Sequence, residues 1–180
     1  MRNLLVVMLT APVLYSTSAS AQPVTPRASI SNAYASFEFL IGDWKSGSSG
    51  GVQLRQAFRW GPGRAYILYS TYLTEAGKLE RLHFEGIMVW NGRTNALDYV
   101  FAVEPGSGVQ EKGIVTVQPD GSVVRAVELT DATGKVGHFR QTFQRTGVDS
   151  AVTSLMRKTE TGWEPNFPGS EKMEMKRLPD

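Results

Sequence analysis

Turn-forming residues recur at nearly even spacing from Gly42 onward, and this rhythm is the strongest constraint on the fold. Glycine, proline, asparagine and aspartate supply the positive or fixed φ angles that tight turns need. They cluster at 47–51, 61–63, 75–77, 91–92, 105–108, 119–121, 131–134, 146–147 and 161–162. Intervals this short leave no room for crossover helices, so we expect consecutive strands joined by hairpins.

The runs between the turns are rich in valine, isoleucine, threonine and aromatic residues, as strands are. Examples are 66–73, 97–103, 123–129 and 139–143. Counting them predicts an all-β, antiparallel, up-and-down meander of about ten strands. A meander this long usually closes into a barrel, because closure removes both exposed edges, with an open sandwich as the alternative. The one helical candidate is 31–40, where Ser31 or Asn32 can cap a short N-terminal helix.

The first 21 residues have the character of a secretory signal peptide. Arg2 supplies a positive start, 4–14 form a mostly apolar core, and Ala19-Ser20-Ala21 provides the small residues that signal peptidase accepts. The apolar run is shorter than the roughly 20 residues of a membrane-spanning helix. We therefore expect cleavage after Ala21, a flexible lead-in over 22–30, one barrel domain over 31–180, and a periplasmic or extracellular location.

Composition argues against a nucleic-acid partner. Loss of the signal peptide removes one of the 19 basic residues, Arg2, and none of the 17 acidic ones, which leaves a net charge of +1. The basic residues are scattered along the chain, so they create no stripe of positive potential for a phosphate backbone. The chain contains no cysteine, so disulfides and thiolate chemistry are excluded.

The segment 39–44, Phe-Leu-Ile-Gly-Asp-Trp, resembles the beginning of the calycin barrel, the fold of lipocalins, fatty-acid-binding proteins and nitrobindins. In these proteins a short helix leads into a Gly-x-Trp on the first strand. The resemblance implies that Trp44 closes one end of the barrel and that Arg177 covers its ring through a cation–π contact. It extends in outline over 37–178, and the chain is most similar to lipocalin-like secreted bacterial proteins of uncharacterised activity.

Nitrobindins bind haem through a histidine near the C-terminus, but 169–177 contains no histidine here. Met173 or Met175 could in principle ligate iron, although methionine is far commoner as a core residue. We expect neither haem nor any other cofactor.

The two histidines of the chain offer the one candidate for catalysis. His83 and Glu85 lie two apart on a predicted strand, so alternation places them on one face, and His138 lies on another strand. Such a group suits proton transfer or, with an open position, zinc. The alternative is that these polar residues lie on the outer face of the barrel. No known catalytic motif accompanies them, so we predict no metal site and name them as weak catalytic candidates.

Aromatic residues provide the stronger indication of a binding site. We predict that a ligand would contact Trp60, Tyr66, Tyr69, Tyr72, Tyr99, Phe101 and Arg140. Alternation must place some of these rings inside, where they line a cavity or, alternatively, fill the core.

Arginines also interleave the strands, at Arg55, Arg59, Arg64, Arg125 and Arg140. Apart from Arg140, which is a predicted ligand contact, we expect them to point outward. An inward one would imply an anionic ligand head group, such as the carboxylate that fatty-acid-binding proteins hold with interior arginines.

These observations predict an exported protein that holds a small apolar or amphiphilic molecule in a barrel cavity. The alternative is a barrel enzyme, such as an isomerase, cyclase or lyase, that uses a His, Glu or Tyr acid–base pair in the same cavity.

Overall fold

The computed structural model describes residues 33–48 and 51–179 and is almost entirely β-structure. Two short 3-10 helices span Ala35–Leu40 and Pro62–Arg64. The strands are β1 (Gly42–Ser46), β2 (Val52–Trp60), β3 (Ile67–Glu75), β4 (Arg81–Asn91), β5 (Ala96–Val103), β6 (Val109–Val117), β7 (Val123–Thr130), β8 (Val136–Arg145), β9 (Ser150–Lys158), β10 (Trp163–Pro165) and β11 (Met173–Arg177).

Ten of these strands close into an antiparallel barrel. From β1 to β9 each strand pairs with the next. The pairing of β8 with β9, which closes the sheet, runs from Phe139↔Arg157 to Arg145↔Ala151. Strand β11 then joins β9 to β1. Strand β10 pairs only with the far end of β9 and lies outside the ring. The predicted barrel of about ten strands is confirmed, the open sandwich is excluded, and the architecture is consistent with a calycin-like fold.

Burial alternates along the strands as a barrel with a dry interior requires. In β5, Leu97, Tyr99 and Phe101 are buried, while the residues between them face outward. Two glycines on the neighbouring strands make space for these rings. A Cβ at Gly86 would lie 2.2 Å from the Phe101 ring, and one at Gly113 would lie 2.0 Å from a backbone oxygen and 3.1 Å from the Tyr99 hydroxyl.

One end of the barrel, here called the closed end, is covered by the 3-10 helix Ala35–Leu40. Tyr34, which precedes this helix, fixes it to two hairpins. Its hydroxyl donates a hydrogen bond to the Ala65 carbonyl and accepts one from the Trp90 N–H, both at 2.9 Å. Burial of Phe37 and Leu40 against the barrel completes the seal.

Trp44 and Arg177 meet at this closed end. Trp44 is 2% exposed and donates its indole N–H to the Leu40 carbonyl at 2.7 Å. The Arg177 guanidinium lies 4.4 Å from the centre of the Trp44 ring and donates to the Phe39 and Ile41 carbonyls. The cation–π contact expected from the resemblance is therefore present, and it connects the last strand to the first.

The described part of the chain contains no helix with the length and apolar character needed to cross a bilayer. The predicted signal peptide and lead-in lie outside the described residues and stay predictions. The helical candidate at 31–40 is described from residue 33 onward, where it is a 3-10 helix over Ala35–Leu40.

Candidate functional site

The middle of the barrel is filled by aromatic rings. Phe58 stacks on Tyr69 with the ring centres 4.3 Å apart, Tyr69 meets Phe101 edge-on at 5.2 Å, and Phe101 stacks on Phe84 at 5.7 Å. Separations of this size are typical of packed aromatic cores. The middle of the lumen is therefore core, and ligand space must lie elsewhere.

A cavity of about 170 Å³ lies at the opposite end of the barrel, here called the open end. Its apolar wall is formed by Val52, Leu54, Leu73, Phe84, Leu155 and Phe167. Its polar wall is formed by Gln56, Thr71, His83, Arg125, Gln141 and Asn166. A mostly apolar concavity with a few convergent polar groups is the usual form of a small-molecule site.

Part of the cavity wall comes from the connection between β10 and β11, which contributes Asn166 and Phe167. Ser170 fastens this connection to β9. The Leu155 N–H donates to the Ser170 carbonyl at 2.7 Å, and the Ser170 hydroxyl donates back to the Leu155 carbonyl at 2.8 Å. Because the same hydroxyl accepts from the Phe167 N–H at 3.1 Å, Phe167 is held in place over the open end.

A buried ion pair forms the floor of the cavity. Arg125 is 2% exposed and donates to the Glu111 carboxylate and, at 2.7 and 3.1 Å, to the Gln141 side-chain oxygen. Gln141 in turn donates to the Thr153 hydroxyl at 3.3 Å. Burial raises the pKa of Glu111 above its ordinary value, and the Arg125 charge acts against that rise. Arg125 itself stays protonated, since guanidinium groups do not lose their proton in proteins.

Four aromatic rings surround the Arg125 guanidinium at 5.1 to 5.5 Å from their centres: Tyr69, Phe84, Tyr99 and Phe101. Such contacts stabilise a desolvated cation. The Tyr69 hydroxyl accepts a hydrogen bond from the Gln56 amide. Burial raises the pKa of Tyr69 to about 12, with the Arg125 charge opposing the shift. The phenol is therefore neutral at physiological pH.

Three buried polar atoms at the cavity have no hydrogen-bond partner among the described residues: Gln56 Oε1, Thr71 Oγ1 and His83 Nδ1. The Thr71 hydroxyl lies close enough to Tyr69 to favour its phenolate, but it does not have hydrogen-bond geometry. More than nine in ten buried polar groups in proteins are paired, so these three atoms mark the positions in the cavity where water or a bound ligand would form hydrogen bonds.

His83 lies at the rim of the cavity. Its Nδ1 is 3.5 Å from Glu104 Oε1, a distance too long for a good hydrogen bond. Burial lowers the pKa of His83, while Glu104 acts in the opposite direction. The side chain is therefore neutral at pH 7.

The residues predicted to contact a ligand lie in different parts of the barrel and do not form one site. Tyr69, Tyr99 and Phe101 lie inside the barrel, although they pack mainly on one another. Trp60 lies at the closed end, edge-on to Tyr34 at 5.4 Å, and Tyr66 packs beside Gly61 there.

Tyr72 and Arg140 lie on the outer face. The Arg55 guanidinium covers the Tyr72 ring at 3.8 Å, and Arg140 covers the Trp163 ring at 4.4 Å. Neither side chain lines the cavity.

The catalytic candidates do not come together either. A β-bulge opposite Thr71 and Tyr72 adds a residue to β4, so that His83 and Phe84 both line the cavity. Glu85 instead lies on the outer face, where it accepts a hydrogen bond from the Ser70 hydroxyl at 2.8 Å. His138 is exposed. Among the described residues, no group of three or more His, Asp or Glu side chains is placed to hold a metal ion.

Arg125 corrects the expectation that the interleaved arginines point outward. Arg55 and Arg59 do so, and both pair with Asp43 on the surface. Arg125, however, lies between Val123 and Val127 on the inward face of β7. Both faces of β7 carry valine or alanine, so alternation alone did not decide its direction.

The sequence reasoning also missed Gln56, Thr71 and Gln141. A signal was present, because each is a polar residue within an inward row of apolar ones. Gln56 lies between Leu54 and Phe58, and Gln141 lies between Phe139 and Phe143. A polar residue in the buried phase of a strand is costly unless it is paired, so it marks a network or a site.

No protein-family model matches the sequence, and no curated protein is significantly similar to it. The function must therefore be argued from the geometry of the cavity.

Proposed function

We propose that this chain is an exported, lipocalin-like protein that holds a small, largely apolar molecule in the cavity at the open end of the barrel. The observation that supports this most is the cluster of unpartnered polar atoms on Gln56, Thr71 and His83 within an otherwise apolar wall. Each unpaired buried group costs about 1 to 3 kcal/mol. A ligand that pairs with them would remove that cost.

The volume of the cavity limits the size of the enclosed part of the ligand. A cavity of about 150 Å³ encloses a benzene molecule, and this one measures about 170 Å³. We therefore propose that one ring or a short chain is buried and that any longer ligand extends outward past Phe167 and the rim. The buried part of the ligand is therefore smaller than the elongated molecule that a barrel with an empty lumen could enclose.

Binding has more support than catalysis. Of the three catalytic candidates, His83 alone lines the cavity, and the described carboxylate nearest to its ring, Glu104, lies 3.5 Å away on the exposed rim. A binding protein needs only the cavity and its polar groups.

The test is titration with an uncharged, environment-sensitive dye, such as N-phenyl-1-naphthylamine, followed by competition with small aromatic compounds. We expect one saturable site with affinity near micromolar. Replacing Leu73 in the cavity wall by tryptophan should fill the cavity and abolish saturable binding.

The matched control is Leu68→Trp, which makes the same change on the outer face of the same strand, where Leu68 is exposed. It should leave dye binding unchanged. Equal binding by wild type and a folded Leu73→Trp variant would show that the dye adheres elsewhere and would overturn the proposal.

A further inference from the structure

We infer that the buried end of the ligand is a neutral group that both donates and accepts hydrogen bonds, such as a hydroxyl or a carboxamide, rather than a carboxylate. This inference rests on the proposed function and specifies the chemical class of its ligand. It follows from two features of the cavity, the internal pairing of its charges and the kind of hydrogen-bonding atom that is left free.

The charges at the cavity are already balanced. The positive charge of Arg125 is matched by direct contact with the Glu111 carboxylate, which is itself buried. A second carboxylate would therefore enter a buried, largely apolar space in which no described residue is an unmatched cation, and it would lie near Glu111. Burying such an unpaired charge is strongly unfavourable. An interior arginine thus implies an anionic ligand only where no protein carboxylate holds it, and here one does.

The unpaired polar atoms of the cavity require a ligand group that can both donate and accept hydrogen bonds. Gln56 Oε1 can only accept, so its ligand partner must carry an N–H or O–H. The Thr71 hydroxyl can donate or accept. Arg125 uses three of its five N–H groups in its hydrogen bonds to Glu111 and Gln141 and can offer the others to a ligand oxygen. A hydroxyl or carboxamide matches this set, whereas a carboxylate has no proton to give to Gln56.

Four compounds of one size separate the possibilities: benzyl alcohol, benzamide, benzoate and toluene. Each places one ring in a cavity that fits about one ring. Binding is measured at pH 7 by NMR chemical-shift titration of the cavity residues, which tolerates millimolar affinities. We expect benzyl alcohol and benzamide to bind at least about tenfold more tightly than benzoate.

The variant Thr71→Val removes the unpartnered hydroxyl while keeping the shape of the side chain. We expect it to weaken benzyl alcohol binding by about three- to tenfold, the usual value of one neutral hydrogen bond, and to leave toluene binding unchanged. Its melting temperature should equal or exceed that of wild type, because no protein hydrogen bond is lost. Thr74→Val, on the opposite face of β3, is the matched control and should change neither affinity.

The outcomes are distinct. Benzoate binding that equals or exceeds benzyl alcohol binding would overturn the inference and leave the binding function intact. Equal loss of toluene and benzyl alcohol affinity in Thr71→Val would also overturn it, because the hydroxyl would then act only on packing. Failure of all four compounds and of the dye to saturate would overturn the proposed function itself.

Discussion

Replacing Arg125 by methionine removes the cation of the buried pair while keeping a side chain of similar length. Glu111 is then left 5% exposed and without its guanidinium partner. The Arg125 charge and hydrogen bond both act against the rise in the pKa of Glu111, so their loss lets that pKa rise further. The variant can fold with Glu111 protonated. The free energy needed to protonate Glu111 at the pH of measurement then determines how much stability the variant loses.

The magnitude follows from linkage between protonation and folding. Each pH unit between the ordinary pKa of Glu111, about 4.5, and the pH of measurement costs about 1.4 kcal/mol, so protonation at pH 7 costs about 3.4 kcal/mol. This agrees with the roughly 3 to 5 kcal/mol typical of breaking a buried pair. It is a large part of a domain stability of about 5 to 15 kcal/mol.

The sign of the pH dependence is fixed by the direction of the shift. A carboxyl whose folded pKa is raised stabilises the fold below its unfolded pKa, and that contribution is lost as pH rises toward the folded pKa. The deficit of Arg125→Met relative to wild type should therefore be smaller at pH 5 than at pH 7, by up to about 2.7 kcal/mol.

Urea denaturation followed by tryptophan fluorescence at pH 5 and pH 7 measures this difference. In the double variant Arg125→Met with Glu111→Gln the titrating group is gone, so its deficit relative to the single variant Glu111→Gln should not change between the two pH values. The control Arg59→Met breaks an exposed pair with Asp43 and should cost less than about 1 kcal/mol. A deficit for Arg125→Met that is the same at both pH values, or below about 1 kcal/mol at pH 7, would refute this account of the ion pair.

Two further predictions concern buried aromatic residues. Trp44→Ala should lower the free energy of unfolding by about 3 to 5 kcal/mol in urea denaturation, since it leaves a void below Arg177. Melting within a degree or two of wild type would contradict its role at the closed end. Because the pKa of Tyr69 is raised to about 12, stability should fall by about 1.4 kcal/mol per pH unit as pH rises from 10 toward 12. Burial raises the pKa of Tyr99 as well, so it adds a slope of its own over this range. Tyr69→Phe should therefore reduce the alkaline slope by about 1.4 kcal/mol per pH unit, and an unchanged slope would show that Tyr69 does not contribute to it.

The fold was predictable because its signals are local and repeated. Turn residues and the alternation of strands such as β5 act within a few residues of one another, so each hairpin can be recognised separately. Closure followed from counting strands, and the contact between Trp44 and Arg177 followed from the resemblance.

The site was less predictable because it depends on which residues of each strand point into the barrel. A single bulge in β4 separates His83 from Glu85, and no sequence pattern marked it. In β7 both faces are apolar enough to be buried, so the inward position of Arg125 emerges only when β6 and β8 supply Glu111 and Gln141 as partners. Such pairings lie across strands and are decided by the register of the whole barrel.

The two ends of the barrel differ in whether their buried polar groups form hydrogen bonds within the protein. At the closed end the Trp44 indole and the Tyr34 hydroxyl both have hydrogen-bond partners, and the Arg177 guanidinium donates to backbone carbonyls. At the open end Gln56 and Thr71 have buried atoms that form no hydrogen bond with any described residue. A buried polar atom of this kind costs about 1 to 3 kcal/mol when nothing pairs with it.

A purely structural barrel would gain stability by replacing such residues with apolar ones, since stabilising substitutions are easily reached. A barrel that binds a ligand recovers the cost when the ligand arrives. The expected response of Thr71→Val, a protein at least as stable as wild type that binds a hydroxyl less well, expresses this difference. Stability and binding should therefore change in opposite directions at the open end, while substitutions at the closed end should lower stability alone.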